Sequence, residues 1–214
     1  MNKTTICFDL DGTLTDPKPG ITRSIQYALE KLGHSAPQED ELTWCIGPPL
    51  LSSFATLVGE ADAERAVKHY RERFGDVGYR ENELYPGIIA ALTALSEHNV
   101  RILVATSKPT FYARKIIEHF GLASHFEDVC GSELDGTRAD KTDLLAWIIA
   151  DKGLEPGATA MIGDRRHDVI GARNNAIDAV AVLYGYGSRD ELSEAGAAHF
   201  CARPDDLPAV LGTL

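Results

Sequence analysis

Short, nearly continuous apolar runs punctuate this chain and alternate with longer amphipathic ones. Residues 100–105 (Val-Arg-Ile-Leu-Val-Ala), 158–162 and 179–183 read as buried strands, and 4–10 as another. Between and after them, 87–98, 109–120, 141–151 and 165–175 carry helical spacing. Strands that are apolar throughout are buried on both faces. Their alternation with helices predicts an α/β fold with a doubly wound parallel sheet. Pro109, following Lys108, marks a helix start because proline suits the first turn.

From Asp16 to Leu84 the pattern changes. No strand is legible there, and helical stretches run over 21–32, 49–58 and 61–79. The last carries Glu64, Lys68, Glu72, Arg65 and Arg71, a solvated face. Proline and glycine punctuate both ends of the block, at 14–20 and 84–87. The reading is a small helical module, 16–85, inserted into a core made of 1–15 and 86–214.

The chain has 214 residues, 21 Lys and Arg against 32 Asp and Glu, and a formal charge of −11. At this size roughly 70% of the unfolded surface is buried on folding, enough for a core without metal or disulfide staples. Four scattered cysteines, with no C-x-x-C, imply buried free thiols. The negative charge argues against a nucleic-acid polymer as partner. No apolar run approaches the length of a membrane span, and a carboxylate, Asp9, arrives before any signal-peptide core. The expected setting is the cytoplasm, away from membranes, as a monomer or homodimer.

Four segments carry chemistry. Asp9 and Asp11 lie two residues apart at the end of the first strand, and Gly12 lets the backbone turn; ligands of α/β sheets bind beyond such strand ends. An Asp-Gly turn closing a strand fits the same residues. Thr106 and Ser107 follow the strand at 100–105 and lead into a helix, combining hydroxyls with helix-terminal amides as an anion cradle, or serving as plain N-caps. Lys141 opens a helix where its charge opposes the macrodipole, either facing solvent or balancing an anion. Asp164 and Asp168, after the strand at 158–162, are spaced to share one face of a first helical turn, as ligands or as a capping pair.

In a parallel sheet all strand carboxyl ends lie along one edge, so these segments converge. Clustered carboxylates without histidine or cysteine select a hard cation such as Mg²⁺. Hydroxyls, amides and lysine suit a phosphate. Together they describe a phosphoryl-transfer site. Gly185-Tyr186-Gly187-Ser188 resembles a fragment of a dinucleotide loop but lacks the full fingerprint. His167 lies between the acids of the fourth segment, either approaching the site or, the favoured reading, standing exposed in a first turn.

The order D-L-D-G-T-L-T-D, V-A-T-S-K, Lys141 and I-G-D-R-R-H-D resembles the four motifs of haloacid dehalogenase-like (HAD) phosphatases. The helical insert resembles the cap of the phosphoglycolate phosphatase and 5′-nucleotidase branch. Two departures are that Thr142-Asp143 follows Lys141 where relatives carry a proline-containing stretch, and that Asn175-Ala176-Ile177 replaces a helix-ending Ala-Gly. The resemblance implies a Rossmann-like core with Asp9 as nucleophile and Asp11 as general acid and base. It implies Mg²⁺ on Asp9, the Asp11 carbonyl, Asp164 and Asp168, and phosphate on Thr106, Ser107 and Lys141. Arg23 and the loop at Gly47-Pro48-Pro49 are the cap's candidates for substrate contact. The expected partner is a small phosphorylated metabolite. Competing readings are a phosphomutase with the same site, a dehalogenase, which needs neither Mg²⁺ nor Asp11, and a non-catalytic phosphate sensor.

Overall fold

In the computed structural model, which describes residues 2–214, the chain divides into two compact units. One comprises the residues up to Thr15 together with Leu84–Leu214, and the other is Asp16–Glu83. The first is built on β1 (Thr5–Phe8), which pairs in parallel with β4 (Arg101–Pro109) and with β6 (Thr159–Gly163). Outside these lie β5 (Asp128–Ser132), β7 (Asp178–Val182) and β8 (His199–Cys201), giving the order β5-β4-β1-β6-β7-β8 with every pair parallel. The doubly wound sheet predicted from the apolar runs is therefore present.

Helices α4 (Ile88–Ser96), α5 (Thr110–His119), α6 (Lys141–Lys152), α7 (Arg166–Asn174), α8 (Arg189–Glu194) and α9 (Leu207–Leu211) connect and cover these strands. Successive strand residues face opposite sides, and both sets are buried. Cys7, Leu103, Ala105 and Met161 share a core with Leu144, Leu145 and Ile148 of α6 and Ala172 of α7. Ile6, Phe8, Ile102 and Val104, on the opposite face, are equally inaccessible. A strand buried on both faces has no polar alternation to show, which is why its sequence is apolar throughout.

The second unit contains α1 (Lys18–Lys31), α2 (Leu50–Val58) and α3 (Glu60–Asp76), with 3₁₀ turns at Glu39–Cys45 and Gly78–Arg80. Ile21, Ile25 and Ala28 of α1 and Ala63, Ala66, Tyr70 and Phe74 of α3 are buried. Phe54 of α2 meets Tyr70 edge-on at 6.2 Å, and Tyr70 stacks on Phe74 at 5.2 Å. Short strands β2 (Thr15–Asp16) and β3 (Glu83–Leu84) pair with one another where the chain crosses between units. Among the described residues no helix is long and apolar enough to cross a membrane.

Three local expectations change. The strand at 100–105 runs on through Thr106 to Pro109, with a register break between them. Helix α5 therefore starts at Thr110, with Pro109 as its extended N-cap rather than its first helical residue. Helix α7 begins at Arg166, so Asp164 precedes it and only Asp168 lies in its first turn.

Candidate active site

The sheet's register sets the site. Phe8 lies opposite both Val104 and Ile162, so Asp9 is level with Ala105 and Gly163, and Thr106 and Asp164 stand one residue further out. The Asp9 amide still bonds to the Ile162 carbonyl at 2.8 Å, fixing the direction of its side chain just past the strand. The chain then folds back. Gly12 adopts φ +84°, and its amide donates to the Thr15 carbonyl at 2.8 Å. A Cβ at Gly12 would strike the Asp164 carboxylate, so both conformation and space call for glycine there.

Lys141, the first residue of α6, is 4% exposed. Its helix is capped by Asp140, whose carboxylate accepts from the Thr142 amide at 2.8 Å. The lysine is thereby turned inward, where Nζ donates to Asp9 Oδ1 at 3.0 Å and to the Ala105 carbonyl at 2.8 Å, and pairs with Asp168 Oδ1 at 2.8 Å. This overturns the solvent-facing alternative. Burial by itself lowers the lysine's pKa, but Asp168 and Asp9 outweigh it and hold the ammonium firmly charged.

The carboxylates form one cluster. Oxygens of Asp9, Asp164 and Asp168 lie within 4.8 Å of one another. Asp168 also accepts from the Arg165 amide at 3.1 Å, closing the start of α7, and burial raises its pKa to about 6 against the pull of Lys141. Asp11 pairs with Lys108 at 2.8 Å through Oδ2, while its buried Oδ1 has no hydrogen-bond partner. Burial raises the Asp11 pKa, and Lys108 opposes the rise. Asp164 differs from the others. It is fully buried, accepts from Thr13 Oγ1 at 3.2 Å and from the Tyr186 amide at 2.8 Å, both neutral donors, and feels the charge of Arg165. Burial first, then Asp168 and Asp9, push its pKa well above the carboxylate range.

That imbalance is a test of metal fit. A buried carboxylate eased only by neutral donors and the field of neighbouring Arg165, beside two further carboxylates, is costly unless a cation joins them. The donors are oxygens only, which suits a hard divalent ion such as Mg²⁺. The residues present fit it.

Thr106 is 2% exposed, and its hydroxyl accepts from the Lys108 amide at 3.2 Å rather than capping a helix. Ser107 is half-buried, and its carbonyl accepts from Ser132 Oγ at 2.8 Å. With α5 starting three residues later, the helix-amide half of the expected cradle is not at Ser107. His167 is half-buried, and burial lowers its pKa. All four cysteines are free and buried, and burial pushes the Cys7 thiol up to about 12, an inert group. In the helical unit, Arg23 bonds Glu39 at 3.0 Å and Glu81 at 3.3 Å. Gly47 there adopts φ +104°.

Lys108 and Thr13 are the side chains that sequence reasoning passed over. Both stand inside the quoted motifs, and a lysine following hydroxyls past a strand end was the available signal for the first.

Residues 6–182 match the family model described as haloacid dehalogenase-like hydrolase. A 5′-nucleotidase of Pseudomonas aeruginosa is 48% identical over 207 residues, covering 96% of this chain and 92% of that protein. The tyrosine-protein kinase PtkA of Mycobacterium tuberculosis is 39% identical over 209 residues, covering 97% and 72%. The crystal structure of a predicted phosphatase from Clostridium acetobutylicum superposes with a TM-score of 0.96 at 39% identity, over 99% of each chain. With the motif order, the parallel sheet and the acidic cluster all in agreement with these matches, the chain belongs to the haloacid dehalogenase-like hydrolase family.

Proposed function

We propose that the protein is a Mg²⁺-dependent phosphatase acting on small phosphomonoesters, nucleoside monophosphates or phosphoglycolate-like acids, through a phosphorylated Asp9. One observation carries the reading. Asp9, Asp11 and Asp168 each meet a lysine, whereas among the described residues no lysine pairs with buried Asp164 beside them. Asp9, the Asp11 carbonyl, Asp164 and Asp168 would hold the cation, which when bound shields the approach of one anion to another.

Asp9 attacks phosphorus, forming an O–P bond as the bond to the leaving oxygen breaks. Asp11, whose burial favours the protonated form, gives its proton to that oxygen. It then takes a proton from the water whose oxygen displaces Asp9 and releases inorganic phosphate. Thr106, the Ser107 amide and Lys141 stabilise charge on the transferring oxygens. In this reading the helical unit, with Arg23 and Gly47, selects the leaving group and excludes water. The four reduced thiols fit a cytoplasmic setting.

The named kinase relative favours a second reading in which a tyrosine hydroxyl, not water, receives the phosphoryl group from Asp9. Incubation with labelled ATP and a tyrosine peptide separates the two. The main test is phosphate release from p-nitrophenyl phosphate and a panel of phosphorylated metabolites, with Mg²⁺ and after chelation. Mg²⁺-dependent turnover is expected, abolished in Asp9→Asn with the circular dichroism unchanged. Stoichiometric labelling without turnover would instead identify a sensor, and wild-type activity in Asp9→Asn would remove the nucleophile assignment.

A further inference from the structure

The segment after β7 includes Gly185-Tyr186-Gly187-Ser188, which reads as a dinucleotide-loop fragment in the sequence, yet the backbone of Tyr184–Gly187 is wrapped around Asp164. The Tyr186 amide donates to Asp164 Oδ2 at 2.8 Å. A Cβ on Gly185 would collide with the Asp164 side chain and with the Gly12 carbonyl, and one on Gly187 would collide with the Asp164 carbonyl. The Tyr184 hydroxyl donates to the Thr13 carbonyl at 3.1 Å, and its ring meets Tyr85 edge-on at 5.0 Å. Thr13 in turn donates through Oγ1 to Asp164 Oδ1 at 3.2 Å. Asp164 is thus held on one oxygen by the loop after β1 and on the other by the loop after β7, and Tyr184 ties those two loops together.

We infer that Tyr184–Gly187 is a positioning segment that sets the affinity of the acidic site for its divalent cation. Each Asp164 oxygen accepts one neutral hydrogen bond and keeps a second lone pair for a ligand. The two donors fix the plane of the carboxylate without neutralising it, leaving its charge for the cation. A lysine in their place would hold the same carboxylate but cancel that charge, as Lys141 does at Asp168. Glycine at 185 and 187 is what lets main chain approach this closely. Tyr184 fixes where the approach occurs. Groups that orient a ligand side chain commonly change metal affinity by about 10- to 100-fold when removed.

The inference rests on the cation reading above, and its test separates the two. Mn²⁺ binding to the metal-free, full-length protein is measured by calorimetry and by electron paramagnetic resonance, alongside the melting temperature of the metal-free protein. Tyr184→Phe keeps the ring against Tyr85 and removes only the hydroxyl. It is expected to weaken Mn²⁺ binding about tenfold and to raise the Mg²⁺ concentration for half-maximal activity in parallel, with KM for the phosphomonoester unchanged. Gly185→Ala is expected to weaken binding further. A purely structural role would lower the metal-free melting temperature and leave Mn²⁺ affinity intact. If Tyr184→Phe behaves so, the positioning role is overturned. If the wild type binds no Mn²⁺, the cation reading falls with it. If it binds and Asp164→Asn abolishes binding while Tyr184→Phe does not, only the positioning role falls.

Discussion

Ala176 shows how one residue can carry a measurable cost. The amide of Ile177 bonds to the Ala172 carbonyl at 2.9 Å and that of Ala176 to Arg173 at 3.1 Å, the pair of bonds that closes a helix through a left-handed residue. That residue is Ala176, at φ +56°. An L-residue there costs about 1–2 kcal/mol, and glycine returns about 0.5–1 kcal/mol of that in unfolded-state entropy. Ala176→Gly is therefore expected to stabilise the protein by roughly 0.5–1 kcal/mol in urea denaturation. Lys141 makes the opposite case. Lys141→Met keeps most of the stem and leaves Asp9 and Asp168 buried without their counter-charge. Breaking a buried pair in this way costs about 3–5 kcal/mol, and the same titration on metal-free protein reads it. The sequence showed Lys141 only as an oddity against the helix dipole. Its value depends on Asp9, 132 residues away, and no local pattern encodes that distance.

At the scale of elements, the legible parts were those whose burial is uniform. Strands β1 and β6 are covered along their whole length and β4 and β7 over their apolar middles and ends, 102–105 and 180–182, which is where the apolar runs stand. Strands β5 and β8, the two edges of the sheet, show no apolar run in the sequence: Asp128 and His199 stand where an edge needs less cover, and Gly131 is small because a Cβ there would strike the Lys108 carbonyl. The end of β4 is masked in the sequence by polar residues. Thr106, Ser107 and Lys108 look like the start of a helix, but Ser132 and Thr110 hold them extended against β5. The four Asp positions at strand ends were legible because each follows an apolar run directly or within a turn. The helical unit supports a prediction of its own. Glu81 receives Arg73 through two bonds at 2.7 and 3.0 Å and Arg23 at 3.3 Å. Hydrogen bonding from Arg73, ahead of the other causes, lowers its pKa below the ordinary 4.5. A carboxylate with a depressed folded pKa stabilises fully above its unfolded pKa and loses that contribution as pH falls through the folded value. Glu81→Gln should cost about 1–2 kcal/mol near neutrality, and the difference from wild type should shrink as pH drops below about 4.5. Trp44 lies in this unit and Trp147 in the other, so single-tryptophan variants report which transition moves. The Trp44 transition is expected to shift and the Trp147 transition to stay.

For the whole molecule, the division of labour follows from which unit owns which residues. Asp9, Asp11, Thr106, Lys108, Lys141, Asp164 and Asp168 all lie outside 16–83, and so do all six strands of the large sheet. The insert is also entered and left through paired strands, β2 and β3, so the chain ends created by removing it start as neighbours, about 5 Å apart across a ladder. Joining Thr15 to Leu84 through a short glycine-serine linker should therefore leave a folded core. Trp147, packed against the Leu144–Ile148 cluster, gives the native fluorescence check. The joined core is expected to bind Mn²⁺ as the full chain does, because every carboxylate of the cluster and both lysines beside it are present. It is expected to hydrolyse p-nitrophenyl phosphate while losing the preferences that the full chain shows across a metabolite panel, since selection is assigned to the removed unit. A core that folds but no longer binds Mn²⁺ would mean that 16–83 contributes to the cation site itself. A core that keeps the full chain's preferences would move substrate selection onto the sheet edge.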